Sequence, residues 1–110
     1  MADYTKSMPI RQDEPLESED KSTLVGTSST LVKFAQDVMG LEVANNSSTA
    51  TVYLNIGGGI ATLATGLPIY AKQYYSADKK IKKDIGISLI STEASTDVRI
   101  IGHFKLEVED

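Results

Sequence analysis

The chain reads as an all-β protein: a single β-sandwich or jelly-roll-like barrel of about seven to eight short strands, with an extended N-terminal arm. Three observations predict this. Apolar residues recur with period two through the last two-thirds of the chain; Val52, Leu54 and Ile56, for example, alternate with Thr51, Tyr53 and Asn55. Side chains alternate across a strand, so this pattern sorts residues onto one buried and one wet face. Turn-forming clusters then separate the apolar runs at short intervals, and no run carries the 3.6-residue period of a long amphipathic helix.

Residues 1–22 stand apart in composition. They hold the acids Asp3, Asp13, Glu14, Glu17, Glu19 and Asp20, the bases Lys6, Arg11 and Lys21, and two prolines. So few apolar groups cannot repay the entropy of ordering, which predicts a flexible or extended arm over 1–22 and a β-sandwich domain over 23–110. Tyr4, Met8 and Ile10 are the apolar groups with which such an arm would grip a partner's surface, with Lys6 and Arg11 between and beside them.

From Ser22 onward the texture turns to Ser, Thr, Val, Leu and Ile, residues that suit a pleated surface. Leu24–Val25 and Thr30–Phe34 form the opening strands, and Gly40–Ala44 is a short strand ended by Asn45-Asn46-Ser47-Ser48. Thr49–Ile56 is the clearest central strand, stopped by Gly57-Gly58-Gly59. Ile60–Leu63 is a candidate short strand, and Ile69–Ser76 a longer one with Tyr70, Tyr74 and Tyr75 as its bulky members. Ile85, Ile87 and Leu89 share a phase in the strand Ile85–Ser91. Val98, Ile100, Phe104, Leu106 and Val108 share another, with Gly102 in the remaining inward slot and a bend expected near it.

With 110 residues the chain suits one domain with its own core. It has no cysteine, which excludes disulfides and thiolate chemistry, and its single His103 with scattered carboxylates argues against a transition-metal site or any cofactor. A net charge of −4 disfavours general nucleic-acid binding. The weakly polar stretch Ile60–Ala71 is too short for a membrane span and is interrupted by Gly66 and Pro68.

The individual motifs point away from catalysis. Gly57-Gly58-Gly59 follows a strand, but Thr62 stands where a dinucleotide fingerprint needs its third glycine and no Lys-Ser/Thr pair follows. His103 falls on the wet face, out of phase with Phe104, with no nucleophile or orienting acid at a telling spacing. Asn45 and Asn46 begin glycosylation patterns and read better as turn residues. Lys79, Lys80, Lys82 and Lys83 form the one basic cluster, flanked by Asp78 and Asp84; a solvated loop is its plainest reading, and contact with a neighbouring subunit's acidic residues 13–20 its functional one.

Tyr4-Thr5-Lys6-Ser7-Met8-Pro9-Ile10-Arg11 resembles the leader Tyr-x-Lys-Ser-x-Pro-Ile/Val-Arg that opens a number of small tailed-phage virion proteins. The body is similar to small phage structural proteins with a β-sandwich domain. Gly40–Asn46, Ala50–Gly57, Gln73–Ser76 and Thr96–Gly102 carry that similarity over roughly 80 residues. The resemblance implies a non-enzymatic virion component: a capsid decoration protein, a head-fibre base, or a neck or tail accessory, assembled in the bacterial cytoplasm. Its implied partner is the major capsid protein or another virion protein. A homotrimer or homodimer would multiply the effect of weak individual arms. The alternative expectation is a carbohydrate- or host-surface-binding β module of a head fibre or tail accessory, which would call for exposed aromatics such as Tyr70, Tyr74 and Tyr75.

Overall fold

A computed structural model of the protein describes residues 16–105. Nine strands follow in order: β1 Leu16–Asp20, β2 Thr23–Val25, β3 Thr30–Val32, β4 Gly40–Asn45, β5 Val52–Ile56, β6 Leu67–Ile69, β7 Tyr74–Ala77, β8 Ile87–Ser91 and β9 Thr96–Lys105. They form a five-stranded sheet, in which β1 and β2 both pair with β9 and β9 continues through β4 to β7, and a four-stranded sheet in the order β3-β8-β5-β6. All the strand pairs are antiparallel. No ladder among the described residues joins the two sheets, so the protein is a two-layer β-sandwich and not a closed barrel.

β9 is the hub. Its ten residues alternate strictly, with Thr96, Val98, Ile100, Gly102 and Phe104 buried, as the period-two pattern predicts. Leu41 and Val43 of β4 and Val25 of β2 extend this inner face. Val32, Val52, Leu54, Ile69, Ile87 and Leu89 oppose them from the second sheet, and Phe34, Val38 and Ile81 close the core from the connections. Burying a side chain of this kind stabilises the fold by about 1.5–3 kcal/mol.

The structure departs from the sequence reading in several places. Ile69–Ser76 is not one strand: β6 lies in one sheet and β7 in the other, and residues 70–73 carry the chain between layers. Lys72 takes φ 63° there and donates its N–H to the carbonyls of Asn45 and Ser47. A local period of two cannot reveal that the chain changes sheets in mid-run. Ile60–Leu63 is not a ladder strand either. Residues 57–66 fold back over the outer face of the second sheet, tightened by mutual backbone hydrogen bonds and a 2.7 Å hydroxyl contact between Thr62 and Thr65. Ala61 is buried there and donates its N–H to Ser88 Oγ at 2.9 Å. The fold-back helps to cover Ser88 on the outer face, and β8 is buried at all five positions.

Ile85 leaves the phase of Ile87 and Leu89 and is 41% exposed. Gly86, at φ +68°, turns the backbone between them, and a Cβ at Gly86 would run into the Val32 carbonyl oxygen. The expected arm over 1–22 falls largely outside the described residues, as do Leu106 and Val108. Its last part, Leu16–Asp20, is β1, paired with β9 from Leu16↔Lys105 to Asp20↔Ile101.

Candidate interaction surface

The antiparallel registers collect one set of chain segments at one end of the sandwich. β3 and β5 end there, β4 and β8 begin there, β7 ends there, and β1 starts opposite the last residue of β9. The connections 33–39, 57–66 and 78–86 therefore share this end. A reciprocal pair of 2.9 Å backbone hydrogen bonds between Val38 and Ile81 ties two of them together.

That pairing explains how the lysines are displayed. Ile81 is buried in the core, while Lys79, Lys80, Lys82 and Lys83 on either side of it are exposed. Asp37 Oδ1 accepts the Lys83 N–H at 2.9 Å, and the Lys82 carbonyl accepts from Ile85 and Gly86 N–H. The basic cluster is thus carried on a backbone pinned at several points. Lys80 and Lys82 border a recess of about 150 Å³ with Ile56, Gly57, Ile81 and Ile85.

Ile85 also belongs to a larger groove of about 390 Å³, lined by Leu31, Ile60, Gly58, Gly59 and Ser88, with Lys33 and Asp84 among its charged members. Leu31 is 59% exposed and Ile60 68%. The outward phase of Leu31 follows from its neighbours, since Thr30-Leu31-Val32 buries Val32. Ile60 stands out because Ala61, not Ile60, turns into the sheet to meet Ser88. Sequence reasoning missed this groove: Ile85 reads in phase with the buried Ile87 and Leu89 and Ile60 as the start of a short strand, so nothing in the pattern brings them together with the outward Leu31.

The opposite end is polar and internally satisfied. Buried Asn45 donates through Nδ2 to the carbonyls of Ala50 at 2.8 Å and Ile69 at 2.9 Å, and its Oδ1 accepts the Ser47 N–H at 3.0 Å. A residue read as a plain turn former is therefore a clamp between the two sheets. At the β8–β9 turn, Thr96 Oγ1 donates to the Glu93 carbonyl, so the 2.6 Å bond between Ser91 and Thr96 must have Ser91 Oγ as donor. On the outer face, hydrogen bonds from Arg99, then from Asn46, hold the Asp97 carboxyl below its ordinary value, and Asp97 raises Arg99 in turn. Hydrogen bonds from the Ser22 hydroxyl and N–H do the same for Asp20.

The other singled-out residues do not gather. Tyr4, Lys6, Met8, Ile10 and Arg11 lie outside the described residues. His103 is on the outer face, with Nε2 3.2 Å from Glu42 Oε2. Tyr74 is 73% exposed, whereas Tyr75 turns in and packs against the core, so the tyrosines of β7 do not share a face. Among the described residues no cluster of three or more His, Asp or Glu is placed to hold a metal ion. No family model, curated protein or solved structure matches the chain.

Proposed function

We propose that the chain is a non-enzymatic phage virion structural protein, which attaches through its N-terminal arm and decorates or stabilises the capsid. The observation that carries this reading is how the arm is rooted. β1 lies along β9, the longest strand and the hub of its sheet. Beyond β1 the Lys21 N–H donates to the Ile100 carbonyl and the Ile100 N–H to Ser22 Oγ. Load carried into β1 passes through its five-residue ladder to β9, which pairs with β1, β2 and β4. That suits a tether bearing the domain on a larger particle. The leader-like Tyr4–Arg11 supplies the gripping groups, and the major capsid protein or another virion protein is the partner. A segment ordered only on docking gives up part of its contact energy to ordering, so many copies on one particle suit it well.

The rooting of β1 also sets where the test must cut. A chain beginning at Ser22 would lose a strand, whereas one beginning at Leu16 keeps the sandwich whole. Mass spectrometry of purified particles of the phage encoding the chain should find it as a virion component. Particles made with the chain begun at Leu16 should lack it, while that shortened chain remains folded and soluble in the lysate. Absence of the full-length chain from particles, or unchanged occupancy of the shortened one, overturns the reading.

A further inference from the structure

We propose that residues 106–110 of this chain dock back on the lysine-bearing connection 78–86, with Val108 seated in the recess beside Lys80 and Lys82. That recess, of about 150 Å³, is lined by the apolar Ile56, Ile81 and Ile85 and bordered by the two lysines. None of Lys79, Lys80, Lys82 and Lys83 forms an ion pair with a described carboxylate. An apolar recess with a basic border fits an extended segment in which apolar and acidic residues alternate. Leu106-Glu107-Val108-Glu109-Asp110 is such a segment.

Position selects this segment over the other acids of the chain. The Met39 N–H donates to the His103 carbonyl while Val38 and Ile81 exchange backbone hydrogen bonds, so the row β9-β4-β7 continues past the strands as far as Ile81. Ile81 therefore lies two strand spacings, roughly 10 Å, from the end of β9 at Lys105. Three extended residues beyond Lys105 span about the same distance, which brings Val108 to the recess. The acids before β1 start one strand farther away, because β1 lies on the other side of β9. Asp13 and Glu14 are also adjacent, with no apolar residue between them. Glu19 and Asp20 are already engaged, by the Ala35 N–H and by Ser22. With Val108 turned inward, Glu107 and Glu109 share the outer side of the segment, where the long stems of Lys80 and Lys82 reach them. Exposed pairs of this kind are individually weak and screened by salt, so the docking is reversible. An acidic partner reaches the lysines only by displacing the segment. None of this depends on a place in a virion.

Amide NMR relaxation on the full-length protein at low salt tests it. The heteronuclear NOE of residues 106–109 should match that of β9, and the Val108 methyls should show NOEs to Ile81 and Ile85. Both should fall at about 1 M salt, where the screening length drops to about 3 Å. Lys80→Glu with Lys82→Glu should release the segment while leaving the circular dichroism spectrum unchanged. Adding Glu107→Lys and Glu109→Lys should dock it again, a rescue that a general loss of stability cannot produce. A segment that is mobile in the native protein at low salt overturns the proposal, as does one that stays rigid in the lysine double variant. Release without rescue by the charge exchange rejects the pairing. Order that disappears on tenfold dilution assigns the contact to a second copy, and overturns the proposal too. Should the double variant fail to fold, the salt series decides: NOEs unchanged at high salt reject the docking.

Discussion

The ring of Phe34 occupies the space that a side chain at Gly102 would need: a Cβ there would stand 2.7 Å from Phe34 Cε1 and 2.9 Å from Val38 Cγ1. Phe34 lies beyond the end of β3, in the connection that crosses from one sheet to the other, and it fills the core where β9 shows no side chain. The sequence pattern along β9 and the path of residues 33–39 are therefore two halves of one packing solution. Glu19, opposite Gly102 on β1, completes it by accepting the Ala35 N–H at 3.0 Å.

Gly102→Ala should consequently destabilise the fold by about 1–3 kcal/mol, the range for forcing an extra methyl into a packed core. Gly26→Ala is the control, because nothing lies within 4 Å of a Cβ at Gly26. That change should be neutral or stabilising by up to about 1 kcal/mol through the unfolded state. Urea denaturation of both variants checks the contrast, and equal midpoints would refute the packing argument.

The β-sandwich was legible because β4, β5 and β9 alternate cleanly and lie centrally, where phase alone decides which face is buried. The groove was not, for two physical reasons. Gly86 reverses the phase between Ile85 and Ile87 through a positive φ, which no alternation rule detects. The fold-back of residues 57–66 depends on a non-local bond, Ala61 N–H to Ser88 Oγ, between segments 27 residues apart. The sheet change at Lys72 escaped notice likewise, since the carbonyls that accept its N–H belong to Asn45 and Ser47. The lysines were identifiable as a cluster; that buried Ile81 divides them was not.

Asn45 should prove the most sensitive polar residue of the core. Asn45→Ala leaves the carbonyls of Ala50 and Ile69 and the Ser47 N–H without their partner, and buried groups so stranded cost about 1–3 kcal/mol each where water cannot reach them. Asn45→Asp should be worse than Asn45→Ala at neutral pH: it keeps the acceptor for Ser47 but turns a carboxylate oxygen toward two carbonyls. Thermal melts of the pair check the order. Asn45→Asp melting above Asn45→Ala would mean that the clamp acts by shape and not by donating.

The pH dependence of stability should carry the signature of Asp20. Its carboxyl is held below the ordinary value of 3.8, first by the Ser22 hydroxyl at 2.6 Å and then by the Ser22 N–H. A carboxyl lowered in the folded state binds fewer protons there than in the unfolded chain. Its contribution is therefore complete above the unfolded value and is lost as pH falls through that value toward the folded one. Ser22→Ala removes the hydroxyl bond to Asp20 and also the acceptor for the Ile100 N–H, but only the first loss depends on pH. The variant's deficit should thus be larger near pH 7 than near pH 3. A carboxyl carbon NMR titration should show Asp20 moving up toward its ordinary value in the variant. An unmoved Asp20, or a deficit independent of pH, would show that Ser22 serves β9 alone.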